Sequence, residues 1–173
     1  MIGGIARAAL IALPLTLAAC GNDGATEEAV SDVSADPETL AGAIPADSRF
    51  AEALGAAGLD GLFEGPEPYT VLLPADDAFP ATLPEDKEEL AALVTLHILP
   101  GTILGEDIAS AFDQAEGGEL TLPTYGGSDL VVTRSEGGFM VAPASGGEAV
   151  ALTPGDGPLE DGAVHRVGGL LGG

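Results

Sequence analysis

The chain has 173 residues, with 28 acidic and 5 basic side chains and a formal charge of −23 at pH 7. Such a surface repels phosphate backbones and anionic lipid, which argues against nucleic acid as a partner and against a basic patch as the means of membrane attachment. The core of a chain this long is built mostly from Ala, Val and Leu, because there is no Trp and there are only five Phe and two Tyr.

Residues 1–19 contain no acid and a single base, Arg7, and an apolar run from 8 to 19 is interrupted only by Thr16. The run is too short for a bilayer span, which needs about 20 apolar residues. A basic start, a short apolar core and small residues before a cleavage point describe a secretory signal. The run ends in Leu17-Ala18-Ala19-Cys20, which matches the bacterial lipobox, where the cysteine receives a diacylglycerol group before the signal is removed. The alternative is an ordinary signal with an incidental cysteine. Cys20 is the one cysteine of the chain, so no disulfide staples the fold, and a lipid thioether explains a lone thiol in an exported protein. One acyl chain gives reversible membrane binding, whereas the two of a diacylglycerol give stable attachment. Gly21 does not fit the pattern that retains lipoproteins in an inner membrane. The expected location is therefore the cell envelope, at the outer membrane where the cell has one. Residues 20–37 follow as a lipidated cysteine and a small, polar, acidic tether, without an aromatic residue to bury. Fully extended, that tether reaches at most about 60 Å. Salt adaptation and genome bias both fit the acidity.

From residue 38 the pattern becomes that of one folded domain, 38–173. Leu40 and Ile44 share a helical face before Pro45, and Asp47 is suited to cap a helix carrying Phe50, Leu54 and Ala57 until Gly58. Residues 69–73 read as a buried strand ending at Pro74, and 75–79 as one helical turn. Thr82-Leu83-Pro84-Glu85 resembles a capping box, opening a helix whose stripe is Leu90, Leu93, Val94 and His97 and which Pro100-Gly101 stops. A further helix over 105–115 pairs Ile108 with Phe112. Beyond it the period changes to two. Strands are expected around 120–122, 130–133, 139–141 and 149–152, punctuated by Gly-Gly pairs that suit hairpins. Helices followed by strands give an α+β class, with N-terminal helices packed on a small antiparallel sheet or sandwich.

Three segments carry a resemblance. They are Thr70-Val71-Leu72-Leu73-Pro74-Ala75-Asp76-Asp77-Ala78-Phe79, then Leu96-His97-Ile98-Leu99-Pro100-Gly101, then Gly162-Ala163-Val164-His165-Arg166-Val167. In this order and spacing they resemble the fasciclin domain, whose first segment usually reads T-V-F-A-P-T-(N/D)-x-A-F, whose middle segment carries a Tyr-His pair and whose last reads N-G-x-I-H-x-(I/V)-D. The resemblance covers residues 38–173 and implies a fasciclin-like fold and a role in adhesion or binding. It singles out Thr70, Pro74, Asp76, Asp77, Phe79, Leu96, His97, Pro100, Gly101, Asp156, Gly162 and His165 as structural or binding positions. Leu96 stands where the family has the tyrosine of its Tyr-His pair, which weakens transfer of the adhesive role linked to that pair. Asp156 lies in Pro154-Gly155-Asp156-Gly157-Pro158, where some animal members carry a Pro-Asp-Ile cell-binding motif; Gly157 replaces the isoleucine, so an integrin-type contact is unsupported.

His97 and His165 are expected to be buried, hydrogen-bonded core residues. Asp76 and Asp77 are expected to cap the helical turn they open. No catalytic constellation is recognised: there is no G-x-S-x-G, Walker A or G-x-G-x-x-G segment. Two widely separated histidines and one cysteine give no metal spacing, and neither metal nor cofactor is expected. The leading expectation is thus a non-enzymatic, membrane-anchored domain that contacts an envelope protein, a surface protein or a matrix polymer. A small-ligand or lipid-binding envelope module is the alternative, using an apolar groove between helices and sheet, and a hydrolase is the remote one.

Overall fold

The computed structural model of the chain describes residues 39–155 and 157–172. The signal over 1–19, Cys20 with the tether to residue 37, and Asp156 lie outside the described residues. Helix α1, Leu40–Ala43, starts at Thr39, whose Oγ1 accepts the Gly42 N–H at 3.2 Å. Helix α2, Arg49–Ala57, is capped by Ser48 and not by its neighbour Asp47; Ser48 Oγ accepts the Ala51 N–H at 3.1 Å. Phe50, Ala53, Leu54 and Ala57 form its buried face, and Gly58, at φ +70°, ends it in the left-handed conformation that glycine adopts at no steric cost.

Strand β1, Tyr69–Pro74, is buried at all six positions because both its faces are covered. A 3₁₀ turn follows at Asp76–Ala78. Helix α3, Lys87–Thr95, is capped four residues beyond Thr82, the expected cap. Its cap is Asp86, whose Oδ1 accepts the N–H groups of Glu88 and Glu89 at 2.9 and 3.0 Å. One carboxylate thereby satisfies two N–H groups of the first turn, a stronger arrangement than a hydroxyl offers. The helix also stops earlier than its apolar stripe suggests. Strand β2, Ile98–Pro100, follows at once, antiparallel to β1, with Tyr69 opposite Pro100 and Val71 opposite Ile98. Pro100-Gly101 therefore ends a strand, not a helix. Ile98 and Leu99 gain full burial by pairing with β1, which outweighs one more helical turn.

Helix α4, Gly105–Gln114, buries Ile108 and Phe112. Its first turn is closed by Asp107, whose Oδ2 accepts the Leu104 N–H at 2.8 Å. The remaining strands are β3 (Glu119–Pro123), β4 (Asp129–Ser135), β5 (Gly138–Pro143), β6 (Val150–Thr153) and β7 (Gly162–Val167). They join β1 and β2 in one seven-stranded sheet of order β2-β1-β7-β6-β5-β4-β3. The α+β class is as expected, but the sheet is mixed. Every neighbouring pair is antiparallel except β1 and β7, which run parallel with Tyr69 beside Gly162 and Pro74 beside Val167. The sheet curls until its two end strands, β2 and β3, touch. The Tyr125 N–H donates to the Ile98 carbonyl at 2.7 Å across that junction, covering part of the β2 edge.

Two apolar clusters result. Leu40, Phe50, Leu54, Phe63, Leu90 and Val94 pack against Tyr69, Val71 and Leu73 of β1 on the helical side. Inside the curl, Leu72 meets Leu99, Leu130, Val132, Val141, Leu152 and Val167, with Ile108 of α4 and Leu171 closing it. Alternation along β1 explains why one strand feeds both clusters.

Candidate functional site

His97 lies two residues past the end of α3 and is wholly buried, edge-on to Phe50 at 6.0 Å between ring centroids. Its Nδ1 donates to the Leu93 carbonyl at 2.9 Å, and its Nε2 accepts the Leu171 N–H at 3.0 Å. Its own carbonyl accepts the Leu72 N–H at 2.8 Å. One residue thus finishes α3, holds β1 and anchors the C-terminal segment. Only a neutral imidazole can donate from one nitrogen and accept at the other. Burial accordingly pushes its pKa down from 6.5 to about 4, against the opposing pull of the Leu93 carbonyl.

His165, on β7, uses the opposite tautomer. Its Nε2 donates to the Ile103 carbonyl at 2.7 Å and its Nδ1 accepts the Gly155 N–H at 2.9 Å. Burial lowers its pKa as well, with the Ile103 carbonyl opposing the shift. The same Ile103 is held from its other end by Thr70, whose Oγ1 accepts the Ile103 N–H at 2.8 Å and donates to the Gly101 carbonyl at 2.7 Å. Gly101 sits at φ +86° and donates its N–H to the Pro68 carbonyl at 2.8 Å. Thr70, Gly101 and His165, far apart in sequence, therefore form one polar brace that pins the segment between β2 and α4 to the paired strands β1 and β7. Removing the Thr70 hydroxyl would leave a partly buried N–H and a partly buried C=O without their partner, at up to about 1–3 kcal/mol for each group. Thr70→Val is expected to lose about 2–4 kcal/mol in urea unfolding and Thr70→Ser less than half of that. Equal losses from the two variants would overturn the assignment.

The other motif positions are also placed. Pro74 closes the β1–β7 ladder opposite Val167. Phe79 is buried in the helical-side cluster, and Pro100 is exposed. Asp76 does not cap its own turn, which has no side-chain cap. Its Oδ1 instead accepts the N–H of Arg49, the first residue of α2, at 2.9 Å. Ser48 serves Ala51, so the Arg49 N–H is left for a carboxylate from elsewhere. Asp161, which no sequence pattern singles out, acts in the same way: its Oδ1 accepts the Leu40 N–H at the start of α1, at 2.7 Å and 121 positions away. Gly162 carries the tightest approach, because a Cβ built there would lie 1.8 Å from the Tyr69 carbonyl oxygen. Asp156 lies outside the described residues.

A cleft of about 910 Å³ opens between α3, the 3₁₀ turn, the loop after β5 and the C-terminal segment. Phe79, Leu93, Leu96 and Leu170 contribute apolar surface, and Asp77, Glu89 and Glu148 contribute carboxylates. Leu96, at the position of the family's tyrosine, thus faces this cleft while His97 behind it does not. A second, smaller concavity of about 530 Å³ is lined by Arg166, Val164, Pro154 and Pro158 among others. The cleft draws its walls from five separate stretches of chain, and no local pattern marks Glu148 or Leu170 as parts of it. Among the described residues no group of three or more His, Cys, Asp or Glu side chains is arranged to hold a metal ion.

Among the described residues Tyr125 is the exposed large apolar side chain, 47% accessible. It stands edge-on to Tyr69 at 5.7 Å, and Tyr69 in turn stands edge-on to Phe63 at 6.0 Å. An aromatic row therefore runs from the helical-side core to the surface at the closure of the sheet.

Comparison with known proteins agrees with this architecture. The chain is 30% identical over 109 residues to Protein sll1483 of Synechocystis sp., an alignment covering 57% of each chain. The chain thus spans little more than half the length of that relative. Among solved structures it matches a FAS1 domain pair from the insect cell adhesion molecule fasciclin I, with a TM-score of 0.53 at 20% identity, over 71% of this chain and 44% of that one. That likeness concerns the fold. The Fasciclin domain family model matches residues 46–172, and the chain belongs to the fasciclin domain family, an adhesion-related group of domains.

Proposed function

We propose that this protein is a non-enzymatic binding domain, tethered by lipid to the outer side of a bacterial membrane, that contacts another envelope protein, surface protein or matrix polymer. Membership of an adhesion-related domain family carries this reading. Four observations support it. Both histidines have their two ring nitrogens committed to the main chain, so neither is free to take a proton from a substrate. The exposed Tyr125 offers an aromatic anchor with a polar tip, a side chain enriched at binding surfaces. Leu17-Ala18-Ala19-Cys20 supports the anchor. The strong negative charge repels an anionic surface and leaves apolar contact or pairing with a basic or cation-bridged partner; Leu96 and Gly157, standing where animal relatives carry polar cell-binding features, favour the apolar route.

The test uses the full-length chain in cells. Wild-type protein is expected in the membrane fraction with a diacylglyceryl modification at Cys20 by mass analysis, and Cys20→Ser is expected to leave that fraction. Capture of envelope material by the detergent-solubilised protein is expected to persist when salt is raised from about 0.15 M to about 1 M, conditions that shorten the screening length from about 8 Å to about 3 Å. Cys20→Ser remaining with membranes would refute the lipid anchor. Capture abolished by salt would refute the apolar mode of contact.

A further inference from the structure

Three exposed carboxylates from distant parts of the sequence line the cleft described above. Asp77 comes from the turn after β1, Glu89 from α3 and Glu148 from the loop before β6, and no basic side chain lines it. The neighbouring Arg49 is engaged elsewhere: its guanidinium pairs with Glu52 and donates to the carbonyls of Pro80 and Ala81. Between the carboxylates, Phe79, Leu93, Leu96 and Leu170 supply apolar wall. Glycine lets the C-terminal segment pack closely on the rest of the wall. A Cβ at Gly169 would lie 2.6 Å from Val150 Cγ1, and one at Gly172 would lie 2.9 Å from Leu96 Cδ2. The volume, about 910 Å³, falls within the range of sites for small organic ligands.

We propose that this cleft binds a small cationic amphiphile, one ammonium group on an apolar body, with the body against Leu93, Leu96 and Leu170 and the cation facing Asp77, Glu89 and Glu148. Fatty acids and anionic lipids, the usual occupants of apolar grooves, are disfavoured by the same three carboxylates. The site goes beyond the adhesive reading and does not rest on it, since Tyr125 does not line the cleft.

Calorimetric titration of the full-length chain with dodecyltrimethylammonium, below its micelle concentration, tests this against dodecanoate and dodecyl maltoside, which carry the same apolar tail. The cation is expected to bind at least about tenfold more tightly than either, a difference well outside the scatter of weak binding. Ala92→Trp places an indole into the cleft from an exposed position of α3 and is expected to reduce affinity by at least about tenfold. Glu89→Gln with Glu148→Gln is expected to weaken binding about three- to tenfold, as for removal of partly exposed ion pairs. Glu116→Gln with Glu136→Gln removes the same charge away from the cleft and is expected to leave affinity unchanged. Cation and anion binding alike would overturn the proposal. So would equal losses from the two double variants, which would mark general attraction to an acidic surface. Should Ala92→Trp fail to fold, the comparison of the double variants still decides. Retained capture of envelope material by variants that have lost the cation would show that adhesion and the cleft are separate.

Discussion

Gly162→Ala is expected to abolish stable folding. A Cβ at this position would lie 1.8 Å from the Tyr69 carbonyl oxygen and 2.9 Å from both Tyr69 C and Leu40 Cδ1. The obstacle is main chain, which cannot rotate away as a flexible side chain can. Gly162 also sits at φ +157°, in a region essentially restricted to glycine, where another residue is strained by about 1–3 kcal/mol before any clash is counted. Relief requires β7 to move from β1 at the first rung of their parallel ladder. That movement drags Asp161, whose carboxylate holds the start of α1 and whose carbonyl accepts the Tyr69 N–H. The combined loss is on the order of 5 kcal/mol or more, comparable with the whole stability of an ordinary domain. Gly168→Ala is the control: its Cβ would meet Ala151 at 3.5 Å, an ordinary contact, and should change stability by no more than about 0.5 kcal/mol. Circular dichroism melts of the two variants read the difference. A Gly162→Ala variant that melts within a few degrees of the parent would refute the argument.

This contrast between two neighbouring glycines marks what the sequence makes legible. The parts set by local pattern are readable. The stripe Phe50, Leu54, Ala57 identifies α2, the run 69–73 identifies β1, and alternation between Gly-Gly pairs locates β3 to β6. The motif triplet singles out Thr70, His97, Gly162 and His165, all of which hold strands β2, β1 and β7 together with the segments packed on them. What pattern does not supply is anything decided between distant segments. The apolar run through Leu96, His97, Ile98 and Leu99 suits a helix and a buried strand equally. The free edge of β1, more than twenty residues earlier, chooses the strand. The direction of β7 against β1 has no local signature either, since a buried strand reads the same both ways. Asp76 reads as a cap of its own turn because carboxylates favour helix starts. That rule is met, but on α2, which folding brings within 2.9 Å. The cleft has no sequence signature because its walls come from five stretches of chain.

Acidification is expected to weaken the fold through His97, in a window that its pKa defines. The folded imidazole titrates at about 4, whereas the unfolded one titrates near 6.5. Between these values the unfolded chain binds the extra proton, so stability rises with pH across the window and is lost as pH falls from 6.5 towards 4. Each pH unit between the two values contributes about 1.36 kcal/mol, so the whole window is worth roughly 3 kcal/mol. The direction follows from geometry: a protonated Nε2 could no longer accept the Leu171 N–H, and the C-terminal segment would lose its hold on the core. His165 acts with the same sign, since its Nδ1 must stay bare to accept the Gly155 N–H. Protonation of the many surface carboxylates relieves mutual repulsion and works in the opposite direction, so the parent curve alone does not isolate either histidine. His97→Gln does so for one of them, because the amide does not titrate. At pH 7 this variant is expected to be less stable by about 2–4 kcal/mol, from imperfect replacement of two buried hydrogen bonds and the ring. As pH falls to 4 the parent should lose its advantage and the two stabilities should converge by roughly 3 kcal/mol. Urea unfolding at half-unit intervals of pH measures that convergence. A difference between parent and variant that stays constant from pH 7 to pH 4 would show that His97 is not held neutral by the fold.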